Sequence, residues 1–393
     1  MTHNLSGWSD NLSRWIFQRE IVKLTGIFQS SFLTKQLILL FSSVSDVSQR
    51  SVSNPKTGIL MLNMGGPQHT DDVGEYLLRI MTDRDMIQLP VQSQLGPFIA
   101  KRRTPDVQKK YQEIGGGSPI LKWTQKQGNL LCDKLDKVSP NTGPHKYYVG
   151  LDIRERVLIF SQYPQYSCAT TGSSLNHIFS YYSNNKLPSN IKWSLIDRWS
   201  THPLLFKTFA DRIKSELDQF PADQRKDVFI VFSAHSLPLR AVNRGDPYPY
   251  EVGATVQGVM KELNYCNPYS LVWQSKVGPL PWLGPFTDEA LGGYAKQGKK
   301  NFLLVPIAFV NEHIETLHEM DIEYGHDLGK KLGLTIRRVA APNDHPLFID
   351  ALSDIIVSHM KDGPRISPKF LTRCPHCINI KCHNSKQCPK TSQ

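Results

Sequence analysis

The chain has 393 residues, of which 40% are hydrophobic and 21% are charged, and its 46 Lys and Arg exceed its 35 Asp and Glu to give a net charge of +11. This composition is typical of a globular protein, and the length predicts two domains or one large α/β unit. No apolar run approaches the roughly 18 residues of a membrane-spanning helix, and no Lys/Arg-rich run or nucleic-acid motif accompanies the basic charge. We therefore predict no spanning segment and no nucleic-acid partner, and expect an anionic membrane surface or an acidic ligand instead.

The first fifty residues differ in composition from the rest. They are rich in Ser and contain five basic residues, but their only acids are Asp10, Glu20 and Asp46. A basic, Ser-rich, acid-poor leader is typical of a mitochondrial transit peptide, and a disordered tail has a similar composition. We predict such a leader over residues 1–54 and leave the two interpretations open.

Short apolar runs that end in glycine, proline or polar residues recur along the remainder, which predicts buried parallel strands joined by helices. The runs form two sets of four, at 57–66, 146–150, 156–163 and 192–197, and at 227–236, 270–276, 300–309 and 334–340. The pattern predicts an α/β protein with two doubly wound parallel-sheet halves, and a ligand cleft at the carboxyl ends of the strands.

One connection is too short for this plan. Only five residues separate Gly150 from Arg156, whereas neighbouring parallel strands need a crossover of about a dozen residues or more. Either these two strands are antiparallel, or one of them is not a strand, or a helix is missing from this chain.

Titratable residues follow two of the predicted strands. His235 comes just after 227–234, and an imidazole at a sheet edge can accept a proton near neutral pH. After the strand at 300–309, an α-helical reading puts Glu312, Glu315, Glu319 and Glu323 on one face, next to His313. A solvated helix face is the simpler interpretation of four acids, but their position at the ligand edge favours a proton or metal-ion path.

Three other segments suit a large, flat, acidic ligand. Trp282 lies in a loop stiffened by Pro and Gly, and Arg103, Tyr111 and Ser118 follow one another in the basic segment 98–119. Upstream, residues 76–98 are unusually apolar. An apolar lip flanked by Arg and Lys predicts contact with a membrane surface.

The tail carries closely spaced thiols. Cys374, Cys377 and Cys382 have C-x2-C-x4-C spacing, and Cys388 follows. Clustered thiolates predict zinc or an iron–sulfur cluster, and the spacing alone leaves both the metal and the fourth ligand open.

Taken together, these motifs resemble the ferrochelatase family in its animal mitochondrial form, from about Lys56 to Cys382. The resemblance rests on TGILMLNMGGP, PFIAKRRTP, IGGGSPI, QYPQYSC, TTGSSLN, FSAHSLP, NRGDPYP, VWQSKVGP, PWLGP and HIETLHEMDIEY, in this order. It implies two Rossmann-like halves around a protoporphyrin IX cleft, with Fe²⁺ as the second substrate and haem as the product.

The resemblance also implies residue roles. The implied catalytic residues are His235, Glu315, His313, Glu319, Glu323, His202 and Asp354, with the glutamates on a π-widened helix. The implied porphyrin contacts are Met64, Ile80, Met81, Arg103, Tyr111, Ser118, Tyr163 and Trp282. The implied ligands of a [2Fe–2S] cluster are Cys168, Cys374, Cys377 and Cys382, which leaves Cys388 as an ordinary thiol.

By the same resemblance we expect a homodimer, bound peripherally to the matrix side of the mitochondrial inner membrane. The expected domains are 55–200 and 201–365, followed by a cluster-binding tail at 366–393. The short 150–156 connection departs from the family, which has a helical crossover there. Two alternatives therefore remain: a porphyrin- or haem-binding protein without turnover, and an iron–sulfur or zinc protein without porphyrin chemistry.

Overall fold

The structure, a computed structural model, describes residues 55–149, 156–184 and 192–387. The predicted leader at 1–54, the connection at 150–155 and Cys388 lie outside the described residues. All eight predicted strands that begin within them are present, so the predicted α/β class with two parallel sheets is confirmed.

The two sheets have the same topology. The first has the order β2-β1-β3-β4 and the second the order β6-β5-β7-β8, and every neighbouring pair is parallel. The strands are β1 (Thr57–Leu62), β2 (His145–Tyr148), β3 (Arg156–Ser161), β4 (Lys192–Ile196), β5 (Phe229–His235), β6 (Tyr269–Gln274), β7 (Asn301–Pro306) and β8 (Thr335–Arg338). Continuous apolar runs such as FIVF in β5 form central strands because both of their faces are covered.

Helices cover both sheets. They are α1 (Val73–Thr82), α2 (Gln92–Glu113), α3 (Ile120–Val138), α4 (Ser173–Asn184), α5 (Pro203–Leu217), α6 (Leu239–Asn243), α7 (Tyr248–Glu262), α8 (Thr287–Lys296), α9 (Gly329–Leu332), α10 (Pro346–Asp362), α11 (Pro368–Leu371) and α12 (Ile380–Gln387). Short 3-10 turns lie at Thr70–Asp72, Pro140–Thr142 and Arg225–Asp227, and π-helical segments at Cys168–Gly172 and Glu315–Leu328. No helix in the described residues combines the length and hydrophobicity needed to cross a bilayer.

A single hydrophobic core joins the two sheets. It contains Ile59 and Phe160 from the first sheet and Phe232 and Leu303 from the second, with side chains of α5, α7 and α10 between them. A separate small cluster between α1 and α2 includes Met81 and Tyr111. The shared core keeps the strand ends of both sheets in a fixed relation, on which a site between them depends.

The short connection joins two parallel strands that do not touch. Tyr148 and Ile159 both pair with Leu60, on opposite sides of β1. Two of the three alternatives are therefore wrong, because both segments are strands and both run parallel to β1. Residues 149–155 therefore link two strands that lie on opposite sides of β1, about 10 Å apart.

Candidate active site and cysteine site

Three adjacent strands of the second sheet end at one edge. The order β6-β5-β7 puts the carboxyl ends at Gln274, His235 and Pro306 side by side, and the chain after β7 leads into the π-helix. Side chains from segments far apart in the sequence therefore meet at the edge where the sequence predicts a ligand cleft.

His235 and Glu315 form the centre of this group. Their Nδ1 and Oε2 atoms are 3.0 Å apart, and His313 Nε2 is 3.9 Å from the same oxygen. The side chains of His235 and Glu315 remain 35% and 26% exposed, so a substrate can reach both. Since Nδ1 donates to the carboxylate, Nε2 of His235 is the nitrogen with a lone pair available for a proton.

The pair shifts the pKa values of both groups. Burial is the largest influence on the pKa of His235 and lowers it, but the charge of Glu315 and its hydrogen bond outweigh burial and raise the pKa above the ordinary value. For the carboxyl group of Glu315, burial acts in the opposite direction and raises the pKa. The interaction with His235, and then that with His313, outweighs burial and lowers the pKa to about 2. A proton taken up by His235 is therefore stabilised by an ionised partner.

His313 differs from His235. Burial lowers the pKa of His313 and outweighs the nearby glutamates, and its buried Nδ1 has no hydrogen-bond partner in the described residues. The His313 ring packs on Phe309 at 4.7 Å between centroids. His313 is thus held neutral beside the ionised Glu315.

Glu319 has the opposite character to Glu315. Its pKa is raised, first by burial and second by the charge of Glu315. Its carboxyl group is held by the Ser275 backbone N–H at 2.7 Å and by the Tyr324 hydroxyl at 2.7 Å, with Gln274 Nε2 at 3.2 Å. Two neighbouring carboxyl groups with pKa values moved apart are suited to pass a proton from one to the other.

Glu312 lies outside the π-helix that carries Glu315, Glu319 and Glu323, so the prediction of one stripe is wrong for Glu312. Residues 315–328 form a π-helix, whose i→i+5 hydrogen bonds bring Glu319 next to Tyr324 and His318 next to Glu323. Glu312 precedes this helix and accepts from Arg338 at 3.0 Å. Glu323 lies beside Lys110 of α2 and is 3.2 Å from His318 Nδ1.

The charge of Glu315 also affects four tyrosine hydroxyls. Burial is the main cause that raises the pKa values of Tyr76, Tyr111, Tyr163 and Tyr248, and the charge of Glu315 adds to each. These hydroxyls stay protonated at neutral pH. Tyr163 also accepts from the Met64 backbone N–H at 2.8 Å, which joins β3 to the turn after β1.

Two glycines allow the turn after β1 to approach residues 115–118. Gly65 has φ +66°, and its N–H donates to the Asn63 side chain at 2.8 Å. A Cβ on Gly66 would lie 2.5 Å from Ser118 Oγ. The Ser118 N–H donates to the Pro67 carbonyl at 2.8 Å, so Met64 and Ser118 are fixed in one loop cluster.

The lip residues have different environments. Met81 is buried between α1 and α2 and Ile80 is half-buried, while Leu78, Val91, Leu95 and Phe98 are exposed. Arg103 is half-buried, and burial lowers the pKa of its guanidinium. The exposed apolar residues are concentrated at the predicted lip.

Trp282 stands next to His235. Their ring centroids are 6.4 Å apart with the planes at 71°, and the Leu283 N–H donates to the Leu237 carbonyl at 2.9 Å. The indole Nε1 is buried and has no hydrogen-bond partner in the described residues. The loop therefore holds a rigid aromatic wall beside the imidazole.

His202 and Asp354 pair with each other and have a counterpart. His202 Nε2 is 3.1 Å from Asp354, and His345 Nε2 is 3.0 Å from Asp211. Each histidine precedes the Pro that begins α5 or α10, and each aspartate is the ninth residue of the opposite helix. The sequence carries this relation as a repeat, HPL-x6-D at 202–211 and 345–354, which our sequence reasoning missed.

The four predicted cluster ligands line one cavity. Cys168 Sγ and Cys374 Sγ are 3.8 Å apart. The pKa of the Cys382 thiol is raised to about 11, by burial first and by Cys377 second. The thiols thus lie as two pairs, Cys168 with Cys374 and Cys377 with Cys382.

The separation of Cys168 and Cys374 is compatible with two thiolate ligands of one metal ion. Two thiolates bound tetrahedrally to one metal at about 2.3 Å lie roughly 3.8 Å apart, as Cys168 and Cys374 do. Among the described residues, no three His, Cys, Asp or Glu side chains converge to hold one ion. Two thiolates for each of two irons is the ligand set of a [2Fe–2S] cluster.

Several site residues could not be chosen from the sequence. No sequence feature pointed to Tyr76 and Tyr248. Asn63, Gln274 and Ser275 are polar residues at strand ends, a position that we used only for His235 and for the glutamates after the strand at 300–309. Ser275 has φ +65°, an uncommon backbone conformation for a residue with a side chain, and it holds Glu319.

Comparison with known proteins gives a consistent result. The family model described as Ferrochelatase matches residues 56–360. The mitochondrial ferrochelatase of Drosophila melanogaster is 64% identical over 90% of this chain and 96% of its own length. The human protein of that name is 55% identical over 84% and 82%, and the Schizosaccharomyces pombe protein 45% identical over 83% and 81%.

Among solved structures, SirB from Bacillus subtilis with Fe³⁺ has a TM-score of 0.44 and 11% identity over 61% of this chain and 90% of its own. That likeness is too weak to add to the sequence matches. On the family model and the three relatives, the chain belongs to the ferrochelatase family.

Proposed function

We propose that this chain inserts Fe²⁺ into protoporphyrin IX to form haem, the last step of haem synthesis, and that the His235–Glu315 pair accepts the protons. The observation that carries this proposal is an accessible imidazole 3.0 Å from a carboxylate whose pKa is lowered to about 2. Family membership supplies the substrates, and the pair supplies the base.

The reaction balances without oxidation or reduction. Two pyrrole N–H bonds break, Fe²⁺ forms bonds to the ring nitrogens, and two protons leave. Neutral His235 accepts the two protons one after the other at Nε2, and Glu315 stabilises the imidazolium each time through Nδ1. Glu319, with its raised pKa, takes the proton onward, because it lies one step further along the π-helix.

Glu323 has a different role in this scheme. It lies beside Lys110 of α2, two turns along the π-helix from Glu315, and is 36% exposed. We assign it to exchange with solvent rather than to direct contact with the porphyrin. His313 is held neutral, and we assign it to the wall of the iron position beside Glu315.

The porphyrin wall comes from both sheets. Met64, Tyr163 and Ser118 line the side of the first sheet, through the glycine-dependent turn. Trp282 forms the opposite wall beside His235. Ile80, Met81, Arg103 and Tyr111 belong to the lip and α2, where Arg103 is suited to a propionate of the ring. Gripping the ring edge bends it and exposes the nitrogen lone pairs.

We also propose that Cys168, Cys374, Cys377 and Cys382 hold a [2Fe–2S] cluster. The support is the paired arrangement of thiols around one cavity. When bound, the cluster supplies a cross-link between the core and the tail. The Cys168 backbone N–H donates to buried Asp246 at 2.8 Å, which fixes the core ligand.

The names of the relatives support a mitochondrial location, and we propose in addition that the chain forms a homodimer. Relatives at up to 64% identity are named mitochondrial. The exposed Leu78, Val91, Leu95 and Phe98 support peripheral binding of the lip to the matrix side of the inner membrane.

A second candidate function follows from the short β2–β3 connection. If the first half lacks an element of the pocket, the chain binds porphyrin without turnover. Purified chain incubated with protoporphyrin and Zn²⁺ or Fe²⁺ separates the two functions. Conversion of the porphyrin absorbance above the protein-free rate supports the enzyme. Bound porphyrin with an unchanged spectrum supports the binding protein, and no porphyrin binding contradicts both.

A further inference from the structure

The cysteine cavity touches two segments of the porphyrin site. One wall is the turn at 83–91 that joins α1 to α2, which we call the lip turn, through Asp85, Met86 and Gln88. Another wall is the segment after His235, through Leu237 and Arg240. The predicted cluster and the predicted porphyrin lip are therefore neighbours rather than separate modules.

Asp85 connects the lip turn to both parts of the cysteine site. Its carboxylate accepts from Asn176 Nδ2 at 3.1 Å and from Asn379 Nδ2. Asn176 lies on α4, which directly follows the turn that carries Cys168. Asn379 lies in the tail between Cys377 and Cys382. One carboxylate thus receives one amide from the core side and one from the tail side.

Further hydrogen bonds connect the lip turn to α4, to α6 and to the end of α1. Asp83 accepts from Ser173 Oγ at 2.8 Å, and the Gln88 carbonyl accepts from the guanidinium of Arg240. Buried Gln92 donates to the Met81 carbonyl at 3.0 Å and to the Ile87 carbonyl at 2.9 Å. A displacement at Asp85 is therefore transmitted to the end of α1, where the lip residues lie.

We propose that the cysteine centre positions the porphyrin lip through Asp85, as a positioning residue, and Asn379. With a cluster in place, Cys168 and the tail are cross-linked, so Asn176 and Asn379 hold Asp85 together. Without it, the tail keeps only non-covalent contacts with the core, such as that of Ser385 Oγ with Asn176 at 2.8 Å, and Asn379 is held less firmly. The inference rests on the proposed porphyrin site, and it gives the cluster a structural role in substrate grip.

The test uses full-length protein and Asn379→Ala, with Ile378→Ala as the matched control, because Ile378 is its neighbour and is 85% exposed. We expect Asn379→Ala to keep the visible absorbance of the cluster but to raise the Kd for protoporphyrin about threefold to tenfold, the loss of one charge-assisted hydrogen bond. The control keeps both. An unchanged Kd in Asn379→Ala, with the cluster intact, overturns the inference.

A second readout does not depend on porphyrin. Arg84 is exposed in the lip turn, so the rate of tryptic cleavage after Arg84 reports how firmly the turn is held. We expect faster cleavage in Asn379→Ala and in Cys377→Ser than in wild type or Ile378→Ala. Equal rates in all four proteins contradict the coupling.

A double-mutant cycle completes the test. Asp85→Ala should raise the porphyrin Kd clearly more in the wild-type background than in Cys377→Ser, where the bond from Asn379 is already lost and only the one from Asn176 remains. A full additional effect of Asp85→Ala in Cys377→Ser means that the lip is held independently of the cysteines, and overturns the inference. If wild type binds no porphyrin, the proposed function fails, while the tryptic readout still decides the coupling.

Discussion

The two sheets share a topology but differ in one connection. In the second sheet, β6 and β7 are joined by residues 275–300, which include the Trp282 loop and α8. In the first sheet, the equivalent strands β2 and β3 are joined by residues 149–155 alone. The repeat thus supplies an internal reference for what the first half lacks: a crossover that covers one face and contributes a wall to the cleft.

The two sheets also contribute different kinds of residue to the site. His235, Glu315 and Glu319 all follow strands of the second sheet, where every crossover is long, and each has a defined partner. The first sheet contributes Met64 and Tyr163, which we propose as porphyrin contacts. We therefore expect the shortened connection to affect porphyrin binding rather than the proposed proton acceptor.

The largest effect is expected at the proton acceptor's partner. Glu315→Ala should lower the rate of metal insertion by about 100-fold or more, because His235 loses the carboxylate that stabilises its charged form. Glu323→Ala should lower it by less than about threefold, because Glu323 is paired with Lys110 and is partly exposed. Initial rates from porphyrin absorbance provide the measurement. Equal losses of insertion rate in Glu315→Ala and Glu323→Ala would instead indicate that the two glutamates act together.

The short connection predicts a gain of function. Replacing residues 150–155 with a helical crossover as long as the β6–β7 connection should raise turnover about tenfold, because a better-formed wall aligns the ring. A Gly/Ser insert of the same length is the control. If both inserts have the same effect, or neither has any, the missing helix does not limit activity.

The His–Asp repeat predicts a matched pair of losses. His202→Ala and His345→Ala should each lower the free energy of unfolding in urea by about 0.5–1 kcal/mol, with insertion rates unchanged, because both pairs join α5 to α10 in the same way. A fall in insertion rate in His202→Ala alone would instead support the predicted catalytic role of His202 and Asp354.

The smallest expected effect is a shift in the pKa of His235. Glu315→Gln should lower the pKa of His235, because burial then acts against the charged imidazole without the main group that opposes it. His235 would then become neutral at a lower pH than in wild type. NMR titration of the ring signal that is absent from His235→Ala measures this shift. A pKa that stays in place or rises would mean that Glu315 does not set it.

The sequence predicted the sheets well and the partners poorly. Apolar runs such as FIVF and FLLV identify strands because buried parallel strands need little information beyond their own residues. The glutamates were harder, because the π-helix begins only at Glu315, so α-helical spacing wrongly joined Glu312 to the other three. The pairing of Cys168 with the tail depends on contacts over 206 positions, and only the family resemblance supplied it.

The His–Asp pairs could have been predicted from the repeated HPL-x6-D motif, which we did not use. Comparing the two halves with each other would have aligned His202 with His345 and Asp211 with Asp354. The same comparison would have measured the missing crossover directly. In a duplicated fold, each half is the best control for the other.

The central claim is that His235 takes the porphyrin's inner protons as the metal enters. A single-turnover experiment that follows metal insertion by absorbance and released protons by an indicator tests it most directly, in wild type and in His235→Ala. We expect two protons to be released with each insertion in wild type, and bound but unmetallated porphyrin in His235→Ala. Insertion at the wild-type rate in His235→Ala would contradict it.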